Sequence, residues 1–139
     1  MRFFLLLLAA GTLSGCLSPL PAVDPQMAWI DLAMPSPGGK VLMAERLDNQ
    51  RLNDGRFFQV SPGSHELKVR FDFEVFGGGA GMFSDPQERL CYMTLQYDHF
   101  EAGQHYVLQA SSLAFTPSAR LYNARRELVA EERIINCVP

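Results

Sequence analysis

The chain has 139 residues, 47% of them hydrophobic, with 12 basic against 15 acidic side chains and a formal net charge of −3. Such a length suits one domain of about 100 to 150 residues. With no run or stripe of Lys and Arg, nucleic-acid binding is disfavoured, because it needs cations spaced along a phosphate backbone; attraction to anionic lipid is disfavoured for the same reason.

Residues 1–16 read MRFFLLLLAAGTLSGC. One cation, Arg2, precedes an uncharged stretch from Phe3 to Leu13, and small residues then lead to a cysteine, which is the order of an export signal. The apolar stretch falls short of the roughly 20 residues that a retained spanning helix needs. Leu13-Ser14-Gly15-Cys16 resembles the lipobox of bacterial lipoproteins, with a favoured residue at every position. The resemblance implies transfer of diacylglycerol to the Cys16 thiol, cleavage between Gly15 and Cys16, and acylation of the new amino terminus. Small side chains at Ser14 and Gly15 admit a peptidase, and the thiol is the nucleophile that takes the lipid. Two or three acyl chains, at about 0.8 kcal/mol per buried methylene, anchor firmly where one does not. Leu17 and Ser18 follow the cysteine with no Asp, as in lipoproteins passed on to the outer membrane, so the expected location is the periplasmic side of that membrane. An ordinary secretory leader with a chance cysteine is the alternative. Loss of the leader removes Arg2 and leaves 11 basic against 15 acidic residues, a net charge of −4, so attachment to the membrane is expected to be covalent.

Assigning Cys16 to lipid leaves Cys91 and Cys137 as an even pair. Export would place them in an oxidising compartment, where a disulfide is expected between them. The alternative is a buried thiol at Cys91 and a free one at Cys137. No CxxC or HxxxH spacing accompanies either, so neither a metal ion nor any other cofactor is expected.

Residues 16–27 contain Pro19, Pro21 and Pro25 with little periodicity and predict an extended tether. From residue 28 to 139 the pattern is one of short segments bounded by turns, without a convincing amphipathic helical window. The clearest strand is 65–76. Leu67, Val69, Phe71, Phe73 and Val75 fall on one face, and Glu66, Lys68, Arg70, Asp72 and Glu74 on the other. Further strands are predicted over 28–34, 40–47, 57–60, 90–97, 105–115, 119–122 and 128–135, with a short helix over 125–135 as an alternative to the last. Asp48-Asn49, Asn53-Asp54-Gly55, Ser61-Pro62-Gly63 and residues 123–126 supply turn chemistry. A sheet wetted on one side points to an all-β fold, an antiparallel β-sandwich of about seven or eight short strands.

Within this pattern, Pro62-Gly63-Ser64-His65-Glu66-Leu67-Lys68-Val69 resembles the PGxHxLxV turn and strand of PEGA-type surface β-domains, although the Gly-Tyr pair that usually follows is absent. Ala102-Gly103 ahead of Tyr106 and Leu108 repeats the same turn-then-strand logic. The resemblance implies an envelope-facing structural or carbohydrate-contacting module, not an enzyme.

Residues able to carry chemistry are few. His65, His99 and His105, with Asp98 nearby, would form a metal or acid-base site only if they converged; His65 after a turn, His99 in a hairpin bend and His105 at a strand start need no such role. No serine lies in a GxSxG turn. Gly77-Gly78-Gly79-Ala80-Gly81 lacks the Gly-Lys-Ser/Thr ending of a phosphate loop and predicts an irregular insertion. Phe76, Met82 and Phe83 flank it and are candidates for contact with an envelope partner. Two functions are expected in order: an accessory structural or interaction module using that apolar loop, or a module for glycan or peptidoglycan, for which exposed aromatics such as Trp29, Tyr92 or Tyr97 would line a groove, with Trp29 reading first as a core residue.

Overall fold

The computed structural model describes residues 15, 16, 18–36, 40–76 and 85–139. Nine strands follow in chain order: β1 (Ala28–Ala33), β2 (Val41–Leu47), β3 (Gln50–Arg51), β4 (Phe57–Val60), β5 (Gly63–Val75), β6 (Gln87–Phe100), β7 (His105–Leu113), β8 (Thr116–Tyr122) and β9 (Leu128–Val138). The described residues contain no helix, so 125–135 is turn and strand. All nine strands join one sheet in the order β3-β2-β5-β6-β9-β8-β7-β1-β4.

The all-β expectation is met, but the ladder does not divide into two stacked sheets. β9 is the reason. Its first residues pair with β8, Arg120 opposite Glu131 and Leu121 opposite Ala130. Its later residues pair with β6, from Leu95 opposite Glu132 to Leu90 opposite Val138. A register shift interrupts each pairing, and an extra residue on one strand bends it and increases its twist. Where β9 leaves β8, the Glu132 carboxylate accepts a hydrogen bond from the backbone N–H of Ala119 at 2.9 Å, satisfying a donor that the ladder would otherwise orphan. The sheet therefore curls into a half-barrel. Its margins approach, with Ala44 N–H of β2 donating at 2.8 Å to the carbonyl of Gly55, just ahead of β4.

The sheet is also mixed rather than wholly antiparallel, because β1 lies parallel to β7, Trp29 opposite His105 through Ala33 opposite Gln109. Alternation specifies which face is buried but not which strand is the neighbour. It is met in full along β5: Leu67, Val69, Phe71, Phe73 and Val75 are buried, and the intervening charged residues line the outer face, where Arg70 pairs with Asp72 at 2.9 Å. Inward residues of the other strands, among them Ala28, Ile30, Phe58, Met93, Leu108 and Leu121, complete one core.

Two differences in detail have local causes. The segment predicted as one strand over 105–115 ends at Leu113; a two-residue loop, Ala114-Phe115, then begins β8, with Leu113 opposite Thr116. Ala114 has φ 51° with neither Gly nor Asn to announce the turn. Likewise His99 lies in β6, which continues to Phe100, so the bend falls at 101–104. Gly103 there has φ 76°, and a side chain on it would approach the Pro25 carbonyl oxygen. The Asp48-Asn49 turn is as expected, with both φ positive between β2 and β3, as a type I′ hairpin requires.

The ladder defines two ends. Ala28, Val60, Phe100, His105, Tyr122 and Leu128 lie at one, called here the aromatic end, and Ala33, Val75, Gln87, Leu113, Thr116 and Val138 at the other, the tip end. Cys91 and Cys137 face each other across β6 and β9 and are joined by a disulfide. It ties β9 near the tip end to the longest strand of the sheet. On the chain-entropy view, closing a loop of about 47 residues stabilises by about 4 kcal/mol. Replacing both cysteines with Ala is expected to lower the unfolding free energy by about that amount in urea titrations; a loss below about 1 kcal/mol would show that pairing alone holds β9.

Candidate functional site

The aromatic end carries a cleft of about 400 Å³ lined by Tyr97, Glu101, Gln104, Tyr106, Asn123, Ala124 and Arg125. Its floor is a ring cluster. Tyr97 and Phe100 from β6 meet edge to face at 4.9 Å between centroids, and Phe100 meets Tyr106 of β7 at 5.0 Å in the same manner. Phe100 and Tyr106 are buried, so the cluster plugs this end of the half-barrel while Tyr97 stays half-open to the cleft. The Glu101 N–H donates to the Tyr106 hydroxyl at 3.1 Å. Burial pushes the Tyr97 phenol up, and the nearby Glu101 carboxylate adds to it, so it is a neutral donor and acceptor.

Asn123 builds the opposite wall. Its Oδ1 accepts the N–H groups of Arg125 and Glu127, both at 3.0 Å, folding the β8–β9 turn and holding Arg125 at the rim. Arg125 Nε lies 3.2 Å from Glu127. Two phenols, a carboxylate, two amides and a guanidinium thus surround a concave space, a set that can hydrogen-bond a polar ligand and pack one of its faces.

Beside this end, His65 is set by three groups. Its Nδ1 is 2.6 Å from Asp48 Oδ2, and its Nε2 is 2.7 Å from the Ser61 carbonyl oxygen and 3.1 Å from the Ser61 hydroxyl. Asp48 also accepts Glu66 N–H at 2.8 Å. Partial burial acts to raise the Asp48 carboxyl, but the Glu66 amide and the His65 side chain outweigh it and hold the group below its ordinary value. The turn of the PGxHxLxV stretch is thereby fastened to the β2–β3 hairpin. His99 and His105 are exposed on other strands, and among the described residues no group of three His, Cys, Asp or Glu side chains is placed to hold a metal ion.

The other residues singled out in the sequence are dispersed. Trp29 is only 4% exposed, stacked on Phe57 at 4.3 Å with its indole N–H donating to Asp31 at 2.8 Å, so it offers no open platform. Tyr92 is half-buried beside Arg46, Lys68 and Asn136 on the outer face, far along β6 from Tyr97. Phe76 is exposed at the tip end, and Met82 and Phe83 lie outside the described residues. Cys16 is exposed and unbridged. Sequence reading missed the cleft itself, because Glu101, Gln104, Asn123 and Arg125 come from two turns that only the β7–β8–β9 pairing brings together. No known protein family, curated protein or solved structure matches the chain.

A carboxylate whose native pKa is depressed stabilises the fold above its unfolded value, about 3.9, and that contribution disappears as pH falls through the lower native value. Asp48→Asn is therefore expected to destabilise by about 1 kcal/mol or less at pH 7 and by nothing near pH 2, measured as chemical denaturation midpoints across that range. An equal loss at both pH values would assign the effect to the turn backbone instead.

Proposed function

We propose that this chain is an exported lipoprotein of the bacterial envelope, held on the periplasmic face of the outer membrane by lipid on Cys16, whose domain serves as a structural or interaction module without catalysis. The division of the three cysteines carries this proposal: Cys91 and Cys137 are joined, and Cys16 stands exposed and unbridged at the end of Leu-Ser-Gly-Cys. A cross-strand disulfide persists in an oxidising compartment, which an exported chain reaches. The remaining thiol sits at the one position where lipid transfer requires a nucleophile.

Between that thiol and the domain, the tether is fastened rather than loose. Asp24 N–H donates to Gln59 Oε1 at 3.2 Å, Gly103 N–H to the Met27 carbonyl at 2.9 Å, and Arg56 Nη1 to the Ser18 carbonyl at 2.8 Å. Exchanging residues 1–16 for a secretory leader that is cleaved without lipidation is expected to move the protein from the membrane fraction to the soluble periplasm. Continued recovery with membranes in that form would contradict covalent lipid as the anchor.

The cleft favours a second role for the same domain, binding of a glycan of the cell wall. Sugar rings present polar edges and an apolar face, and Tyr97 with Glu101, Gln104, Asn123 and Arg125 supplies partners for both. Of the aromatics expected to line such a groove, Tyr97 is the one that takes part. Calorimetric titration with a muropeptide is expected to give saturable heat that Gln104→Ala with Arg125→Ala weakens about tenfold, or about 1.4 kcal/mol; no heat with the parent protein would remove the glycan.

A further inference from the structure

The tip end of the half-barrel carries three apolar side chains with no place in the core. Phe76, just after β5, is 73% exposed, Leu113 at the end of β7 is 84% exposed, and Phe115 in the β7–β8 loop is 50% exposed. They are close together: Phe76, Ser112 and Ala114 line one shallow depression, and the Arg89 guanidinium lies 5.6 Å from the centre of the Phe115 ring. The loop is unusual for its position. Two-residue hairpin loops normally use Asn, Asp or Gly, which tolerate positive φ and water; here Ala114 takes φ 51° between Leu113 and Phe115. The conformational cost is accepted, and Phe76 and Leu113 are held out into solvent, where they gain little from folding, while Phe115 is half-buried against Arg89.

The tether shows what these groups face. Gln59 lies opposite Trp29, toward the aromatic end, and holds Asp24. Arg56 is three residues earlier in the chain, displaced toward the tip end, and holds Ser18. Going back from Asp24 to Ser18, the tether thus passes from a contact at Gln59 to one at Arg56, the nearer of the two to the tip end. Arg56 is itself fixed by Asp54, whose carboxylate it meets at 2.7 and 2.9 Å. Cys16 is two residues beyond Ser18, within about 7 Å of it at the span of an extended chain. That order of contacts directs the lipid-bearing residue away from the aromatic end and toward the end at which Phe76, Leu113 and Phe115 project.

We infer that the tip end rests on the membrane, with Leu113, Phe115 and Phe76 inserted among the lipid headgroups and the cleft of the aromatic end turned to the periplasm. This rests on the lipid anchor proposed above and adds an orientation to it. Lys40 and Glu74 both line the depression beside Phe76, and Glu88 lies on β6 next to Arg89, so no net positive field is available; contact comes from apolar burial once the acyl chains have brought the domain to the surface. Three partly buried side chains do not hold a protein on a membrane by themselves, but they suffice to stop a tethered domain from tumbling.

Depth-dependent quenching tests this on the full lipoprotein, extracted from membranes and reconstituted into phosphatidylethanolamine–phosphatidylglycerol vesicles that contain phosphatidylcholine brominated on its acyl chains. Leu113→Trp and Phe76→Trp are two independent reporters at the tip end, Arg125→Trp reports from the opposite end, and buried Trp29 gives a constant background. Brominated lipid is expected to reduce the added emission of both tip reporters at least about twofold, the reach of side chains lying 5–10 Å into the interface, and to leave that of Arg125→Trp unchanged. Unquenched tip reporters on protein that floats with the vesicles would overturn the orientation while leaving the anchor intact, whether solvent or a second copy covers the tips. Equal quenching at residue 125 would overturn it too. Failure of the parent protein to float would remove the anchor, and with it the orientation.

Discussion

The shape of this protein depends on one strand having two neighbours. β9 starts against β8 and finishes against β6, and each of those strands leads a different half of the sheet. Without the bend in β9, the β3-β2-β5-β6 and β8-β7-β1-β4 sets would have no ladder between them at that point. Three features act on the bend: irregular pairing that permits it, the Glu132 carboxylate that satisfies Ala119 N–H where the strands part, and the Cys91–Cys137 bond that fixes the far end. β9 itself is largely exposed, so burial alone does not hold it in place. A covalent tie is most useful on such a strand, whose local opening would otherwise expose the core residues Met93 and Leu95 of β6 along one side.

Curling the sheet also makes its two ends unlike. At one end, long β6 and the turns at 101–104 and 123–126 rise past the core, and the rings of Tyr97, Phe100 and Tyr106 close it beneath a polar cleft. At the other, a hairpin loop and the end of β5 project apolar side chains. The amino-terminal tether is held beside β4, at Gln59 and at Arg56.

Much of the fold was legible because period-two alternation is a strong signal. The core set of β5 is read directly from Leu67 to Val75, and the bounds of β1, β2 and β4 follow to within a residue from turn residues beside apolar runs. The cysteine pair was legible from compartment and parity. What was hidden has a common physical origin: alternation fixes the face of a strand and says nothing of its neighbours. Hence neither the parallel β1–β7 pairing nor the sharing of β9 was foreseen, and a curled single sheet took the place of the sandwich. The loop at Ala114-Phe115 was missed because its composition resembles a strand. The same limit applied to sites. Trp29 reads first as a core residue and is buried on Phe57, whereas Glu101, Gln104, Asn123 and Arg125 lie in turns remote in sequence and become a cleft only through pairing.

The account turns on the chemical state of Cys16, since the anchor, the compartment that keeps the disulfide and the orientation of the half-barrel all follow from it. The most direct measurement is the intact mass and amino-terminal peptide of the protein extracted with detergent from its own membranes. The account predicts a chain that begins at Cys16 and carries the added mass of a diacylglycerol thioether and an amide-linked acyl group. A chain that retains residues 1–15, or one that begins elsewhere with a bare thiol at Cys16, would contradict it.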